Sequence, residues 1–205
     1  MMHRFSCIAI IAVFVLVAAS SGFAEPLKGR LASTVLAGFV VPADSEFQGP
    51  PKSVASTDAA FGIGGGFLYG IDSRVALEFL VSHTEFDGDV AGSHFGSFDI
   101  NYYAIGAQYR FASPQPRLVP YLGGGIDIIS SDFTRPNGIK ADVDTVPGFH
   151  LAAGADYFLT KQLALVGEAR IIVAPDADIT IGGTKIGTLD PMNISMGFGA
   201  RFFFN

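Results

Sequence analysis

The chain has 205 residues, 49% of them hydrophobic, with 25 glycines and 19 phenylalanines. Thirteen Lys and Arg stand against 19 Asp and Glu, which excludes a nucleic-acid partner, since that calls for a basic face. The single cysteine, Cys7, lies near the N-terminus, so the remainder has no disulfide framework and no thiol chemistry.

Residues 1–24 read as a cleaved secretory signal peptide. His3 and Arg4 give a positive start, residues 7–19 are continuously apolar, and Gly22-Phe23-Ala24 puts small residues where a signal peptidase reads. The apolar run falls short of the ~20 residues of a helical membrane span. Residues 25–205 form one domain. Losing Arg4 leaves 12 basic residues against 19 acidic ones, a net charge of −7. No later stretch holds eighteen unbroken apolar residues; the apolarity is spread in alternation, as in a membrane barrel rather than a helical bundle. Trp is absent, so Tyr and Phe must build the interfacial girdles.

Side chains alternate across a strand, and eight strands follow from that period. The first, 30–41, puts Val35, Ala37, Phe39 and Val41 on one face. The second, 58–70, puts Phe61, Ile63, Phe67 and Tyr69 outward and Gly62, Gly64 and Gly66 inward. The third, 74–86, sets Val75, Leu77, Phe79 and Val81 against Glu78, Ser82 and Thr84. The fourth, 97–111, ends with Tyr103, Ile105, Tyr109 and Phe111 outward and Gln108 and Arg110 inward. Its first half, with Asp99 and Asn101, is out of phase, which predicts a bulge or a stretch beyond the membrane. The fifth, 118–130, turns Leu122, Ile126 and Ile128 outward and Tyr121, Gly123, Gly125 and Asp127 inward. The sixth, 146–159, turns Phe149, Leu151 and Tyr157 outward and His150, Gly154 and Asp156 inward. The seventh, 162–173, turns Leu163, Leu165 and Ile171 outward and Glu168 and Arg170 inward. The eighth, 190–204, is the clearest: Met192, Ile194, Met196, Phe198, Ala200, Phe202 and Phe204 share one face, Asn193, Ser195, Gly197, Gly199 and Arg201 the other, and Phe203 alone breaks the pattern. It is longer than a soluble strand of ~5–6 residues and suits the ~9–11 of a tilted membrane strand.

Long connections (42–57, 87–96, 131–145, 174–189) alternate strictly with short ones (71–73, 112–117, 160–161). An outer-membrane barrel has short periplasmic turns and longer external loops. The fold predicted is therefore an all-β, eight-stranded, antiparallel transmembrane β-barrel of up-and-down topology. It is monomeric and sits in the outer membrane of a Gram-negative bacterium, with both termini periplasmic. A soluble lipocalin-type barrel, apolar inside, would have to bury Phe, Leu, Tyr and Ile from every strand while its charges shared the outer face with the glycines.

Several pieces of the second half resemble the outer membrane protein W family, within the wider group of eight-stranded outer-membrane barrels. They are Pro120-Tyr121-Leu122-Gly123-Gly124-Gly125-Ile126, Gly154-Ala155-Asp156-Tyr157-Phe158-Leu159, Leu189-Asp190-Pro191 and the closing Gly197-Phe198-Gly199-Ala200-Arg201-Phe202. The resemblance runs from about Pro120 to the C-terminus. It implies outer-membrane location, passage of small, largely hydrophobic molecules, and no cofactor. Strands of this group commonly close on an aromatic residue read by the barrel assembly machinery; here Asn205 follows Phe204, a departure that bears on assembly rather than fold.

The candidate site is the set of inward charges: Glu78, Arg110, Asp127, Asp156, Glu168, Arg170 and Arg201. An eight-stranded barrel is just wide enough to be filled by side chains, and buried charges must pair or be hydrated. One reading is a salt-bridge plug that keeps the barrel rigid. The other is a gate in which pairs such as Glu168 and Arg201 exchange partners. The inward glycines make room for large inward side chains or line a lateral or axial path for an apolar ligand.

The acidic loops, with Asp44, Glu46, Glu85, Asp87, Asp89, Asp132, Asp142, Asp144, Asp176 and Asp178, lack the spacing of a calcium loop and read as solvated charge in contact with lipopolysaccharide and its divalent ions. Ser82-His83-Thr84-Glu85 offers a hydroxyl, an imidazole and a carboxylate, but alternation puts hydroxyls and imidazole on opposite faces, where a nucleophile and its base cannot meet. No enzyme activity is expected. The functional expectation is an outer-membrane barrel that serves as a narrow channel for small or hydrophobic molecules. The alternative is a closed structural or adhesive barrel whose acidic external loops bind a partner.

Overall fold

The computed structural model describes residues 27–43, 45–47, 53–57, 59–90 and 93–204. The predicted signal peptide and Asn205 lie outside them. The elements are β1 (Leu31–Pro42), β2 (Ser45–Phe47), β3 (Ser53–Thr57), β4 (Ala60–Gly70), β5 (Val75–Val90), β6 (Ser93–Arg110), β7 (Leu118–Thr134), β8 (Lys140–Val143), β9 (Val146–Phe158), β10 (Leu163–Val173), β11 (Ala177–Ile181), β12 (Thr184–Leu189) and β13 (Asn193–Phe203). The described residues contain no helix.

Eight strands close the barrel: β1, β4, β5, β6, β7, β9, β10 and β13, each antiparallel to the next, with β13 returning to β1. These are the eight read from alternation. Paired residues followed once round the wall lead from Pro42 through Asn193, Ile172, His150, Gly125, Gly106, Glu78 and Leu68 to Ala32, ten residues back along the starting strand. A stagger of ten on eight strands tilts them by about 40° from the axis.

The polarity of the membrane segment is inverted relative to a soluble barrel. Leu151 is 72% exposed and Phe198 68%, whereas Asp156 and Arg201 are fully buried. Outward apolar residues run from Ile194 on β13 to Phe204 just beyond its end. Ten residues at ~3.3 Å each, tilted as above, span about 25 Å, the height of the apolar band of an outer-membrane barrel.

The predicted long loops are not irregular. Three are largely strand: β2 and β3 form one hairpin, β8 continues the line of β9, and β11 and β12 form another hairpin. β5, β6 and β7 run on without a break into the same region. There a second circuit of eight strands closes, in the order β5, β6, β7, β8, β11, β12, β2, β3 and back to β5. The loops read as loops because their apolar residues are sparse and their strands short, yet main-chain pairing to a preformed rim is enough to order them.

Of the two readings offered for the first half of β6, the stretch beyond the membrane agrees with the structure, and a bulge at Asp99 and Asn101 does not. Phe98, Ile100, Tyr102, Ala104, Gln108 and Arg110 are all buried while Asp99 and Asn101 point away from them, so the period holds from Phe98 to Arg110. The irregular register lies nearer the start of β6, where Gly88 and Asp89 of β5 pair with Gly96 and His94 and leave Phe95 as the extra residue. What changes along β6 is the medium outside the wall. Within the membrane the outward side chains are apolar. Beyond it they are polar, and the inward ones become a dry core.

The interior is therefore layered. At the hairpin end Phe86, Phe98 and Phe133 stack, with ring centroids 5.3 and 4.6 Å apart, among Ile100, Ile129, Ile179 and Leu189. At the turn end Leu27, Leu68, Phe158 and Phe203 pack together, the two rings 5.3 Å apart. That accounts for Phe203, the odd residue of the last strand: it faces inward and closes the lower lumen. Between the two apolar layers lies the charge.

Candidate functional site

All seven predicted charges are buried in the lumen. Each occupies an inward position of its strand, Glu78 on β5, Arg110 on β6, Asp127 on β7, Asp156 on β9, Glu168 and Arg170 on β10, and Arg201 on β13. Arg201 donates through Nη1 to both oxygens of Asp156, at 2.9 and 2.8 Å, and through Nε to Thr34 Oγ1 at 2.9 Å. Arg110 reaches Asp156 from the other side and donates to Gln108 Oε1 at 3.3 Å. Gln108 in turn donates to Glu78 at 2.7 Å. Glu78 also accepts from Arg170 Nη2 at 2.9 Å, and Arg170 Nε donates to Glu168 at 3.0 Å. Tyr121 donates to the other oxygen of Glu168 at 2.8 Å, with the guanidiniums of Arg110 and Arg201 each 5.5 Å from its ring centroid.

These groups form a continuous belt across the lumen. Glu168 and Arg201 are not partners in it; Arg201 holds Asp156, and its nearest other carboxylate is Glu78, at 3.9 Å. Asp127 stands to one side, paired with His150 Nδ1 at 2.8 Å. Four carboxylates thus face three guanidiniums and one imidazole. Two buried atoms of this constellation have no hydrogen-bond partner: Asp127 Oδ1 and Arg201 Nη2.

Gln108, Tyr121, His150 and Thr34 belong to this constellation and are absent from the charge-based set. The first three lie on the faces already marked inward by alternation, and Thr34 has the parity of Leu36 and Gly38. Parity was the available signal; formal charge was too narrow a criterion. The glycines provide the seats. A Cβ on Gly154 would lie 2.5 Å from Tyr121 Oη, and one on Gly125 2.8 Å from His150 Cε1. Room for large inward side chains is the role these two play.

Above the belt, a cavity of about 70 Å³ lies against Leu36, Gly38, Gly62, Gly64, Glu168 and Arg170. The wall beside it is glycine-rich, with Gly38 paired to Gly62 on one side and to Gly197 on the other. Ser82 and Thr84 have the inward parity, and Thr84 Oγ1 donates to Phe61 O at 3.3 Å. His83 is on the opposite face, beside Asn101 at 3.1 Å and Asp99 at 3.5 Å. On the outside of the extension, Glu85, Asp99, Asp132 and Asp142 stand directly opposite one another across four strands. The described residues contain no group of three or more His, Cys, Asp or Glu side chains placed to hold a metal.

A family model described as "Outer membrane protein beta-barrel domain" matches residues 9–202. No curated protein matches the chain in sequence. Among solved structures, the fold is similar to the outer membrane protein OprG of Pseudomonas aeruginosa, with a TM-score of 0.73 at 16% identity over 87% of this chain and 97% of that one. It is similar to the outer membrane protein AlkL in lipid bilayers, at 0.59 and 21% identity over 92% and 94%. It is also similar to the Escherichia coli outer membrane protein W, at 0.52 and 13% identity over 88% and 100%. The chain thus belongs to the outer-membrane β-barrel family, whose members lie in the cell outer membrane.

Proposed function

We propose that the protein is a narrow channel for small hydrophobic molecules, with its hairpins outside the cell and its turns and both termini in the periplasm. The observation that carries this reading is the layering of the lumen. An apolar solute taken up among the aromatic side chains at the hairpin end meets a belt of paired charge below. Crossing it would mean entering a region whose ions are already paired with one another, with no compensating contact for an apolar solute. The favourable way out is sideways, into the bilayer. The wall is weakest just above the belt, where five of the eight strand lines are interrupted: after Pro42, before Ala60, before Val146, after Val173 and before Asn193. Proline, which donates no ladder hydrogen bond, marks several of these points, at Pro42, Pro147, Pro175 and Pro191.

The belt itself acts as the plug, and its residues need no catalytic role. The inward hydroxyls of Ser82 and Thr84 are separated from His83 by the wall, which supports a non-enzymatic reading. Outer-membrane lipid, lipopolysaccharide and the barrel assembly machinery are the partners this placement implies.

Vesicles with lipopolysaccharide in the outer leaflet test the proposal. Uptake of N-phenyl-1-naphthylamine should be several-fold faster with the protein than without it, and the wild type should pass little ionic current in planar bilayers. Arg201→Gln should raise that current by loosening the belt. Equal uptake with and without protein would sink the channel.

One observation favours a second reading, that of an adhesive barrel. Like charges directly opposite across strands are destabilising, so the row Glu85, Asp99, Asp132 and Asp142 is held against a penalty and offers a cationic partner a flat target. Neutralising the row should abolish cell attachment if that reading is right and leave apolar uptake intact.

A further inference from the structure

The cavity of about 70 Å³ above the belt has a roof and a floor. Tyr102 reaches across the lumen from β6 to β13, where Asn193 Nδ2 donates to its Oη at 3.0 Å. Below, Arg170 Nε donates to Glu168 at 3.0 Å, and both residues line the cavity. Leu36, Leu80 and Ile172 supply apolar sides, and Ser82 and Ser195 supply hydroxyls. The wall beside it is bare, since Gly62, Gly38 and Gly197 stand next to one another on three strands. Phe39, Ile63 and Met196 have exposed side chains and also line the cavity, so it borders the lipid-facing surface of the wall as well as the lumen.

The neutral polar groups here are only half engaged. Asn193 is buried. Its Nδ2 donates to Tyr102 and to Pro191 O, the latter at 3.2 Å, while its Oδ1 accepts no hydrogen bond among the described residues. Tyr102 Oη accepts from Asn193 and donates to nothing among them, and the hydroxyls of Ser82 and Ser195 have no partner there. The ions are fully engaged by contrast. Arg170 lies between Glu78 and Glu168, and Glu168 accepts from Arg170 on one oxygen and from Tyr121 on the other. What stays open is one uncharged donor and one uncharged acceptor. A hydroxyl answers both at once, donating to Asn193 and accepting from Tyr102. A carboxylate could only accept and would lie against Glu168; an ammonium could only donate and would lie against Arg170.

We propose that this cavity seats the hydroxyl head of an alkyl alcohol, with the chain directed at the glycine wall and the lipid beyond it, and that the solutes of the channel are apolar molecules ending in one such group. Water occupies about 30 Å³ per molecule in the liquid, so the space suits a head of about two water volumes. It does not suit a whole ligand, for which about 300–1,000 Å³ is usual. The solute class rests on the channel reading above. The seat itself is read by occupancy, without transport.

The test uses the protein in phosphatidylcholine nanodiscs and three molecules of equal heavy-atom count: 1-octanol, heptyl methyl ether and nonane. Each is titrated at matched mole fraction in the bilayer, with NMR shifts read at the amides of Gly62 and Gly197 and at the Asn193 side-chain amide. Octanol should saturate, nonane should not, and the ether should bind about tenfold more weakly than octanol, because it leaves a buried acceptor unpaired. Asn193→Leu should erase the preference for octanol over the ether. Gly197→Ala adds a methyl group whose nearest neighbour is Leu36 Cβ at 3.7 Å, so it occupies the cavity and spares the wall; it should weaken octanol by about threefold or more. A linear response to octanol, equal affinities for octanol and the ether, or an unchanged affinity in Gly197→Ala overturns the proposal. Selection of octanol by a protein that gives no uptake of N-phenyl-1-naphthylamine keeps the seat and sinks the channel. Uptake without selection sinks the seat and leaves the channel.

Discussion

At the residue scale, Arg201 is the most constrained side chain in the molecule. It is fully buried, holds both oxygens of Asp156 and bonds Thr34. Removing one member of a buried pair strands the other, at about 3–5 kcal/mol. Arg201→Leu should therefore lose about that much in reversible urea unfolding in liposomes. Adding Asp156→Leu should cost far less than the sum of the two single changes, since they share one interaction. The glycines divide just as sharply. A Cβ at Gly199 would sit 1.8 Å from Val35 O, whereas at Gly197 its nearest neighbour is Leu36 Cβ at 3.7 Å. Gly199→Ala should fail to give the compact, heat-modifiable band on gels, and Gly197→Ala should keep it. Arg201 was legible as inward from alternation alone. Its partner was not, because the stagger between strands sets who meets whom, and a chain read strand by strand carries no such information.

At the element scale, β6 shows what a period can and cannot tell. Its alternation is regular from Gly96 to Arg110. Polarity of the inward residues reverses partway, from Gln108 and Arg110 to Phe98 and Ile100, and in the sequence that reversal looks like a slip of register. The rule linking apolar to outward holds only where lipid is the solvent; once the strand leaves the bilayer, water is outside and the greasy side chains turn in. Phe98→Ala should cost about 3–5 kcal/mol, the usual figure for a buried aromatic, while the adjacent Asp99→Ala should change stability by less than about 0.5 kcal/mol, as a surface change does. Equal losses in liposome unfolding would mean that the hairpin-end core is not dry. The paired extension was illegible for a related reason. Strands of three to six residues with few apolar positions carry no periodic signal, and their order comes from the rim they lengthen.

On the scale of the whole molecule, the barrel is an apolar cylinder whose middle is ionic and whose two ends are greasy inside. Eight strands, their order and their outward faces were all readable beforehand, because the bilayer imposes one simple rule on every strand at once. The layering was not, since it arises from solvents that differ at the two ends. The depth of the apolar band gives a direct check. Phe198 lies midway between Ile194 and Phe204, so Phe198→Arg should cost about 2–4 kcal/mol and Phe204→Arg, near the interface, about 0–1. A flat profile would remove the membrane from the account.

Both circuits of strands return to their starting point, and this has a consequence for how copies of the chain meet. A strand with one bare flank is a template on which another molecule can add. Once the eleven residue pairs between β1 and β13 have formed, no barrel strand offers such a flank, and dimers or fibrils built by strand addition have nowhere to begin. The hazard is confined to the interval before that seam zips, when the first and last strands each wait with one side open.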